Sequence, residues 1–506
     1  MERNFRWYDH ITINIYWLGL NIATATITPV LLPFLVIRYV DPAYKNTYLA
    51  TVQVVGLVVA MAVQPMAGMF SDRSTHRLGR RRPFMWAGTT LDLLFLLIIG
   101  LSPLALGAST DAFFRPLLGV NTAYLVLLAG IILLQFSSNI AHGALQGLIP
   151  DLVPEKKRGL ASGVKAVMEL LPSLLVVGIG PLLDRGMVGI VIAIIVAGFA
   201  VTMLVPLLLI REEPLKEKPG GATWGPLLRL LALAAIFVTI TQGAVLLVRS
   251  SGTLLQQAGA APAFQVGLLG LAGLVAMAGS IFLGVYLGAW VGIGRGARQE
   301  SAFIWWVVNR LLFLAAVGSI RNFAQYFLKD VLQLANAATM TTVLMAAVAI
   351  FLLPAALLGG WLADRIGRRR LVAASGLIGA GGTLVLLLAC ALAMPGSPLA
   401  VSSTTMPLVL VIGGGCIIGA SAGLFMATNW ALGTDLVPPE EAGKYLGISN
   451  LAGAGAGIVG TGIGGPMADF FNLMSPGLGY PIIFAIYGGL YLLSLVALAR
   501  VRKASA

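Results

Sequence analysis

The 506-residue chain is poor in charge. Only 10% of its residues are Asp, Glu, Lys or Arg and 58% are apolar, whereas a soluble domain is typically about 25% charged. Too few charges are present to face water on every side, and a disordered chain needs the opposite balance. Cysteine is scarcer still. Cys390 and Cys416 stand in separate apolar segments, so neither a disulfide framework nor metal-ligand spacing is available. No catalytic constellation rises above background, and no enzyme activity, metal or cofactor is expected. Acidic residues are outnumbered, 20 against 33 basic ones, for a net charge of +13. Nucleic-acid binding needs such an excess gathered on a soluble face. Here the basic residues lie between hydrophobic runs, so no nucleic-acid partner is expected.

What the chain has in abundance is long apolar runs. Its apolar content matches about fourteen spans of roughly 20 residues across a ~30 Å hydrocarbon layer. Runs bounded by charge and Gly/Pro clusters predict helices near 11–37, 48–70, 84–107, 122–147, 161–183, 187–210, 227–248, 264–293, 302–327, 338–360, 371–394, 406–432, 447–468 and 481–499. The start, MERNFRWYDH, is charged and aromatic, without an obvious cleavage site after it, and reads as the entry to an uncleaved first helix. Lys and Arg concentrate in alternate gaps between the helices. Basic loops stay on the cytoplasmic side, so both termini are expected in the cytoplasm and the chain in the cytoplasmic membrane. The fold class expected is an all-α polytopic membrane protein.

The chain also repeats itself. SDRSTHRLGRRRP at 71–83 recurs, without a four-residue insertion, as ADRIGRRR at 363–370. PDLVPEKKRGLASG at 150–163 recurs as TDLVPPEEAGKYLG at 434–447, and GIGPLLD at 178–184 as IGGPMAD at 463–469. Each copy holds six helices, and parallel six-helix repeats are a transporter architecture. The division expected is a bundle over 1–210, a linker with two additional helices over 211–300, and a second bundle over 301–506. Two inserted helices leave the second copy's orientation unchanged.

Gly68, Asp72 and Arg73 followed by Gly79 and Arg80 to Arg82, repeated at Gly360, Asp364, Arg365, Gly367 and Arg368 to Arg370, resemble the motif of the major facilitator superfamily. The likeness covers essentially the whole chain apart from the inserted pair. The longer first spacing and the PDLVP loop are similar to the glycoside-pentoside-hexuronide symporters and the sucrose-transporter-like branch near them. The resemblance implies that Asp72 and Asp364 form a cytoplasmic gate with Arg73, Arg80 and Arg365. The competing reading makes the arginines topology anchors that touch anionic lipid. Gly178, Gly180 and Pro181, with Gly464, Gly465 and Pro466, resemble the glycine-proline pattern of proton-coupled exporters, or serve packing alone.

Ions inside the membrane are costly and therefore informative. The acids are Asp92 and Glu169; the bases are Lys165, Arg310 and Arg321. Asp92, Glu169 and Arg310 each fall about 12 Å from a predicted helix end at ~1.5 Å per residue. In the resembled fold Glu169 and Arg310 would face each other across a central pathway, as a proton-coupling group and its charge partner or as a static pair. Helix 2 carries no acid, which speaks against sodium coupling of the melibiose type. Candidate sugar-binding groups in the same helices are Tyr16, Trp17, Asn21, Gln53, Gln135, Asn139, Trp305, Trp306, Asn309, Gln325, Tyr326, Asn429 and Trp430. The glycine-rich inserted pair is expected beside the core, as a tether or oligomer contact. The leading expectation is a proton-coupled transporter of a small polar solute, a sugar or glycoside. The alternatives are a proton-coupled exporter of lipophilic compounds and a non-transporting membrane assembly or pigment-delivery factor.

Overall fold

Each long apolar run is helical because hydrocarbon offers the backbone no hydrogen-bond partner outside its own helix. The computed structural model describes residues 6–210, 212, 214–215, 224–293, 301–436 and 442–501, and no strand occurs among them. Six helices lead the chain: α1 Trp7–Tyr39, α2 Pro42–Asp72, α3 Arg82–Ala105, α4 Thr122–Leu152, α5 Glu155–Asp184 and α6 Val188–Leu209. The inserted pair is α7, Trp224–Gln257, and α8, Pro262–Ile293. Six more follow: α9 Ser301–Asp330, α10 Ala337–Ile366, α11 Arg368–Ala393, α12 Thr405–Thr434, α13 Ala442–Met474 and α14 Gly479–Arg500. Thirteen segments of this series, all but α13, are long and apolar enough to cross a membrane among the described residues.

Two departures from regular helix follow from proline. In α1 the backbone loosens into a π turn at Ile27–Leu31, around Pro29, which has no N–H to give the ladder. In α5 the first stretch, Arg158–Leu170, stops just short of Pro172, and a 3-10 turn at Val176–Gly178 precedes Ile179–Asp184. One expected boundary is corrected. The seventh helix, expected at 227–248, continues to Gln257. Along its polar end the hydroxyls of Ser250, Ser251 and Thr253 donate back to the carbonyls of Leu246, Leu247 and Arg249, which keeps them satisfied without leaving the helix.

The chain separates into two compact units. Unit 1 is Met1–Asp41 with Val58–Leu227, and unit 2 is Pro42–Leu57 with Leu228–Ala506, so the chain changes unit inside α2. In unit 1 Tyr16 meets Phe199 edge-on, with ring centroids 6.3 Å apart. In unit 2 Phe313 stacks on Phe425 and takes Tyr491 against its edge, 5.0 Å away. The inserted pair belongs to unit 2, where α8 packs on α9, α13 and α14. Phe237 of α7 fills the space left by Gly284 and Gly455.

The first half of α2 lies along α13 at unusually short range. A methyl group built on Gly465 would sit 2.5 Å from the Asn46 carbonyl oxygen and 2.7 Å from the Ala50 methyl, so only glycine fits. Gly465→Ala is expected to lower stability by about 1–3 kcal/mol, the usual cost of overpacking. A reduced thermal-unfolding midpoint of the purified protein checks this; an unchanged midpoint contradicts it.

Candidate functional site

Unit 1 gathers two of its membrane ions, Lys165 and Glu169, beside Trp17. Lys165 lies 4.1 Å above the Trp17 ring and pairs with Glu169 at 2.9 Å, one turn further along α5. His142 of α4 meets the same indole edge-on at 5.0 Å, and Asn21 donates to the Trp17 carbonyl at 2.8 Å. The Lys165 and Glu169 side chains are each about one-third exposed, 30% and 32%. Both partners of the pair are therefore partly open rather than sealed. Glu169 also stands just before the Pro172 break in α5. The Arg310 expected opposite it belongs to the other unit.

Asp92 is completely buried in α3. It accepts from the Ser137 hydroxyl of α4, while its second oxygen has no hydrogen-bond partner among the described residues. One turn earlier Thr89 shares a 2.5 Å hydrogen bond with the Tyr16 hydroxyl. Asn139 spends its amide N–H on the Gln135 carbonyl and side chain, at 2.7 and 3.2 Å.

Unit 2 builds a buried amide chain. Asn429 donates to Asn309 at 3.0 Å, Asn309 to the Ser494 carbonyl at 2.8 Å, and the Trp306 indole to the Asn429 carbonyl at 3.1 Å. These three side chains are closed to solvent and join α9, α12 and α14. Arg310 lies 4.9 Å from the Trp430 ring and 5.8 Å from that of Trp306, cation–π contacts to two indoles. Trp305 packs with Phe282 of α8 at 5.5 Å. Gln325 and Tyr326 are buried on α9, whereas Arg321 on the same helix is exposed. Gln53 stands apart. It is 7% exposed, and neither end of its amide has a hydrogen-bond partner among the described residues.

A second polar cluster lies at the start of α2. Asp469 of α13 accepts from the backbone N–H of Thr47 at 2.6 Å and from the backbone and side-chain N–H of Asn46 at 3.1 and 2.8 Å. These backbone donors are helix-start N–H groups with no partner inside the helix, and a carboxylate is the complement of that positive end. Lys45 beside them pairs with Asp330 at 2.6 Å, and Tyr480 donates to the same carboxylate. Sequence reasoning placed Asp469 in a repeat but gave it no role. The signal was the Asp that closes both GIGPLLD and IGGPMAD.

The family model of the Major Facilitator Superfamily matches residues 15–320 and 311–506. The chain belongs to this superfamily. It is thus an integral membrane protein of paired helical repeats. Two curated relatives are sucrose transport proteins, SUT3 of Oryza sativa subsp. indica (34% identical over 103 residues, 19% of this chain and 20% of that protein) and SUC3 of Arabidopsis thaliana (33% over 115 residues, 22% and 19%). The general alpha-glucoside permease of Schizosaccharomyces pombe is 28% identical over 109 residues, 22% of this chain and 19% of the permease. The chain spans about one-fifth of the length of the curated relatives it matches. Among solved structures, a D-xylose-proton symporter covers 97% of each chain with a TM-score of 0.61 at 15% identity; this likeness shows the fold.

The superfamily motif is built around an arginine that the gate expectation did not single out. Arg81, 7% exposed, pairs with Asp72 and with Asp151 (2.9 Å) and donates to Ser71 at 3.1 Å. Arg80 pairs with Asp151 at 2.7 Å. The second copy repeats this: Arg368 pairs with Asp435 at 2.6 Å. Arg80 and Arg368 follow equivalent glycines, Gly79 and Gly367, both at positive φ (104° and 96°), where other residues are strained. The PDLVP and TDLVP loops thus supply the partner of the arginine run in both halves. Arg73 uses its backbone N–H, on Phe70, and makes no side-chain hydrogen bond or ion pair among the described residues. Arg365 lies 3.9 Å over the Trp361 ring, and the Asp364 side chain lies outside the described residues. Gly68 faces the backbone of Gly143 on α4.

Glu212, which sequence reasoning missed, closes the first cluster by accepting from the backbone N–H of Arg81 (2.8 Å) and of Arg82 (3.4 Å). Burial pushes its carboxyl above the ordinary Glu range despite those donors and the adjacent guanidinium groups. A folded-state pKa above the unfolded one gives stability that is complete below the unfolded value, about 4.3, and is lost as pH rises through the folded value. The unfolding midpoint of the wild type, relative to Glu212→Gln, is therefore expected to fall as pH rises through that window. A relative midpoint that stays flat or rises contradicts it. At α2, Asp469→Asn turns one acceptor into a donor facing N–H groups, where a charged hydrogen bond is worth about 1.5–3 kcal/mol. Val54→Cys, packed against Gly462, should then react about tenfold faster with a water-soluble maleimide in the Asp469→Asn background. Equal rates contradict the bracing role.

Proposed function

We propose that the protein is a secondary transporter that moves a small polar solute, a sugar or glycoside, by alternating access with proton coupling. The observation that carries the polar substrate is Gln53. A buried amide with both ends unpaired costs about 1–3 kcal/mol per unmet group, and such a group in a native protein calls for an explanation. A hydroxylated solute that gives and takes hydrogen bonds supplies it. Aromatic faces suited to a sugar ring stand near ions in each unit, Trp17 with Lys165 and Trp430 with Arg310. Relatives named as sucrose transport proteins and an alpha-glucoside permease support the same substrate class. An exporter of lipophilic compounds leaves the buried Gln53 amide without a partner.

Glu169 is the coupling residue in this proposal. Its pair with Lys165 is partly open, Lys165 also rests on the Trp17 face, and the helix breaks beside it, so proton uptake releases Lys165 and lets α5 shift at Pro172. Asp92, sealed from solvent, is the second candidate, and Arg310 and Arg321 hold charge in the second bundle. The division into bundles over 1–210 and 301–506 with a linking pair, both termini in the cytoplasm, and residence in the plasma membrane complete the reading.

The test is uptake and counterflow in proteoliposomes with a sugar panel, with and without an inward proton gradient. Wild type is expected to accumulate at least one sugar only when the gradient is present. Gln53→Ala should raise KM about tenfold, the loss of one or two hydrogen bonds to substrate. Glu169→Gln should keep counterflow and lose gradient-driven accumulation. Equal accumulation by wild type and Glu169→Gln rejects the coupling assignment, and transport of no panel sugar rejects the substrate class.

A further inference from the structure

One face of α9 stays open in unit 2, and it carries a charge without a partner. With α1, the first helix of the other repeat, α9 is the most buried span among the described residues, and α8, α10, α12, α13 and α14 all pack on it. From Trp306 to Leu328 the positions that are not buried are Arg310, Leu314, Val317, Gly318, Arg321 and Asn322, which about 3.6 residues per turn puts on one face. The same face is buried before this window, at Phe303 and Val307, and after it, at Gln325 and Leu328. A face turned to lipid would stay open to the helix ends and would be apolar. A window closed at both ends in mid-helix, with an arginine at either limit, faces water inside the protein, where ions of membrane helices belong.

The two arginines differ. Arg310 rests against the Trp430 and Trp306 rings, whereas Arg321 is exposed in the window and makes no hydrogen bond, ion pair or ring contact with any described residue. Helix α13 shows what stands at its height. Asn322 donates to Thr461 at 3.2 Å, and the next residue of α13, Gly462, packs against Val54 of α2. Arg321 and Gln53, the chain neighbours of Asn322 and Val54, therefore stand at one height along α13. An unpaired guanidinium and an unmatched amide share that level of unit 2.

We propose that Arg321 anchors a carboxylate of the transported solute, which makes the solute an acidic sugar rather than a neutral one; the proposal rests on the transporter reading. Guanidinium and carboxylate form two parallel charge-assisted hydrogen bonds, so the solute supplies the counter-charge that the chain withholds. Gln53 is left for the hydroxyls. A neutral sugar leaves the arginine uncompensated in a low-dielectric interior. One free guanidinium balances the single charge of a carboxylate, whereas a phosphate ester brings about −1.5 to −2 at neutral pH. Arg310, about 16 Å away along the helix, is too far to share that excess. Sucrose, for which two of the relatives are named, has no such anionic group.

Counterflow into proteoliposomes of the full-length protein, with labelled D-glucuronate, D-glucose or D-glucose 6-phosphate, tests this. Wild type is expected to show a KM for glucuronate at least tenfold below that for glucose, the effect of one charge-assisted pair, with glucose 6-phosphate the poorer anion. Arg321→Gln should cancel the preference for glucuronate, and Arg321→Lys, which keeps the charge, should retain part of it. Matching elution and unfolding midpoints establish that the variants are folded. A wild type that carries glucose as well as glucuronate, or a preference that survives Arg321→Gln, overturns the proposal and leaves the transporter reading standing. A lower KM for glucose 6-phosphate than for glucuronate overturns the carboxylate assignment. Counterflow of none of the three overturns both readings.

Discussion

A charge in hydrocarbon must be neutralised, stacked or hydrated, and this molecule's internal arrangement follows from how few ways it has to meet that demand. Lys165 takes a carboxylate on one side and the Trp17 face on the other. Arg310 lies between two indoles. Lys45 and Asp330 pair with Tyr480 as a third member, and Asp469 uses the positive end of α2 in place of a cation. Each solution joins different helices or successive turns of one helix. Scarce charges therefore mark the places where the packing is specific, while most of the remaining contact is interchangeable apolar surface.

The duplication shows the same economy. In each half an arginine run, entered through a glycine at positive φ, meets the aspartate of a DLVP loop, Arg80 with Asp151 and Arg368 with Asp435. The two copies then diverge. The first adds Arg81 as a buried hub with Asp72, Ser71, Asp151 and the distant Glu212, whereas Arg369 in the second reaches the Ala499 carbonyl. The first copy thus fastens the start of α3 to the chain that leaves α6. At the start of α2 the fastening is different again, a carboxylate on backbone amides, so the two ends of this one helix are held by different chemistry.

Much of this was open to reading from the chain. Helix number and span came from the length of apolar runs, because a bilayer imposes one length on every crossing. The repeat came from short polar motifs, which survive where apolar positions drift. The partners within a site were harder. Arg81, Asp151 and Glu212 lie far apart in sequence, and nothing in the local pattern distinguishes Arg81 from its neighbours Arg80 and Arg82. Asn309 and Asn429 read as substrate groups because an amide in a membrane helix looks the same whether it meets a ligand or another helix. The structure gives the Asn309 N–H to the Ser494 carbonyl and the Asn429 N–H to Asn309, and leaves Gln53 unmatched among the described residues. The end of α7 was misplaced because Arg249 reads as a loop charge, although the hydroxyls after it bond back into the helix.

Among the membrane ions Glu169 is the one proposed to move with the proton, and the unmatched Gln53 amide is proposed to meet substrate. The central claim is that solute and proton cross together. The most direct measurement is the pH of a weakly buffered suspension of proteoliposomes at the moment sugar is added, with no gradient imposed beforehand. The account predicts alkalinisation outside that depends on the sugar and is abolished by a protonophore. Sugar entering the vesicles with no movement of protons would contradict it.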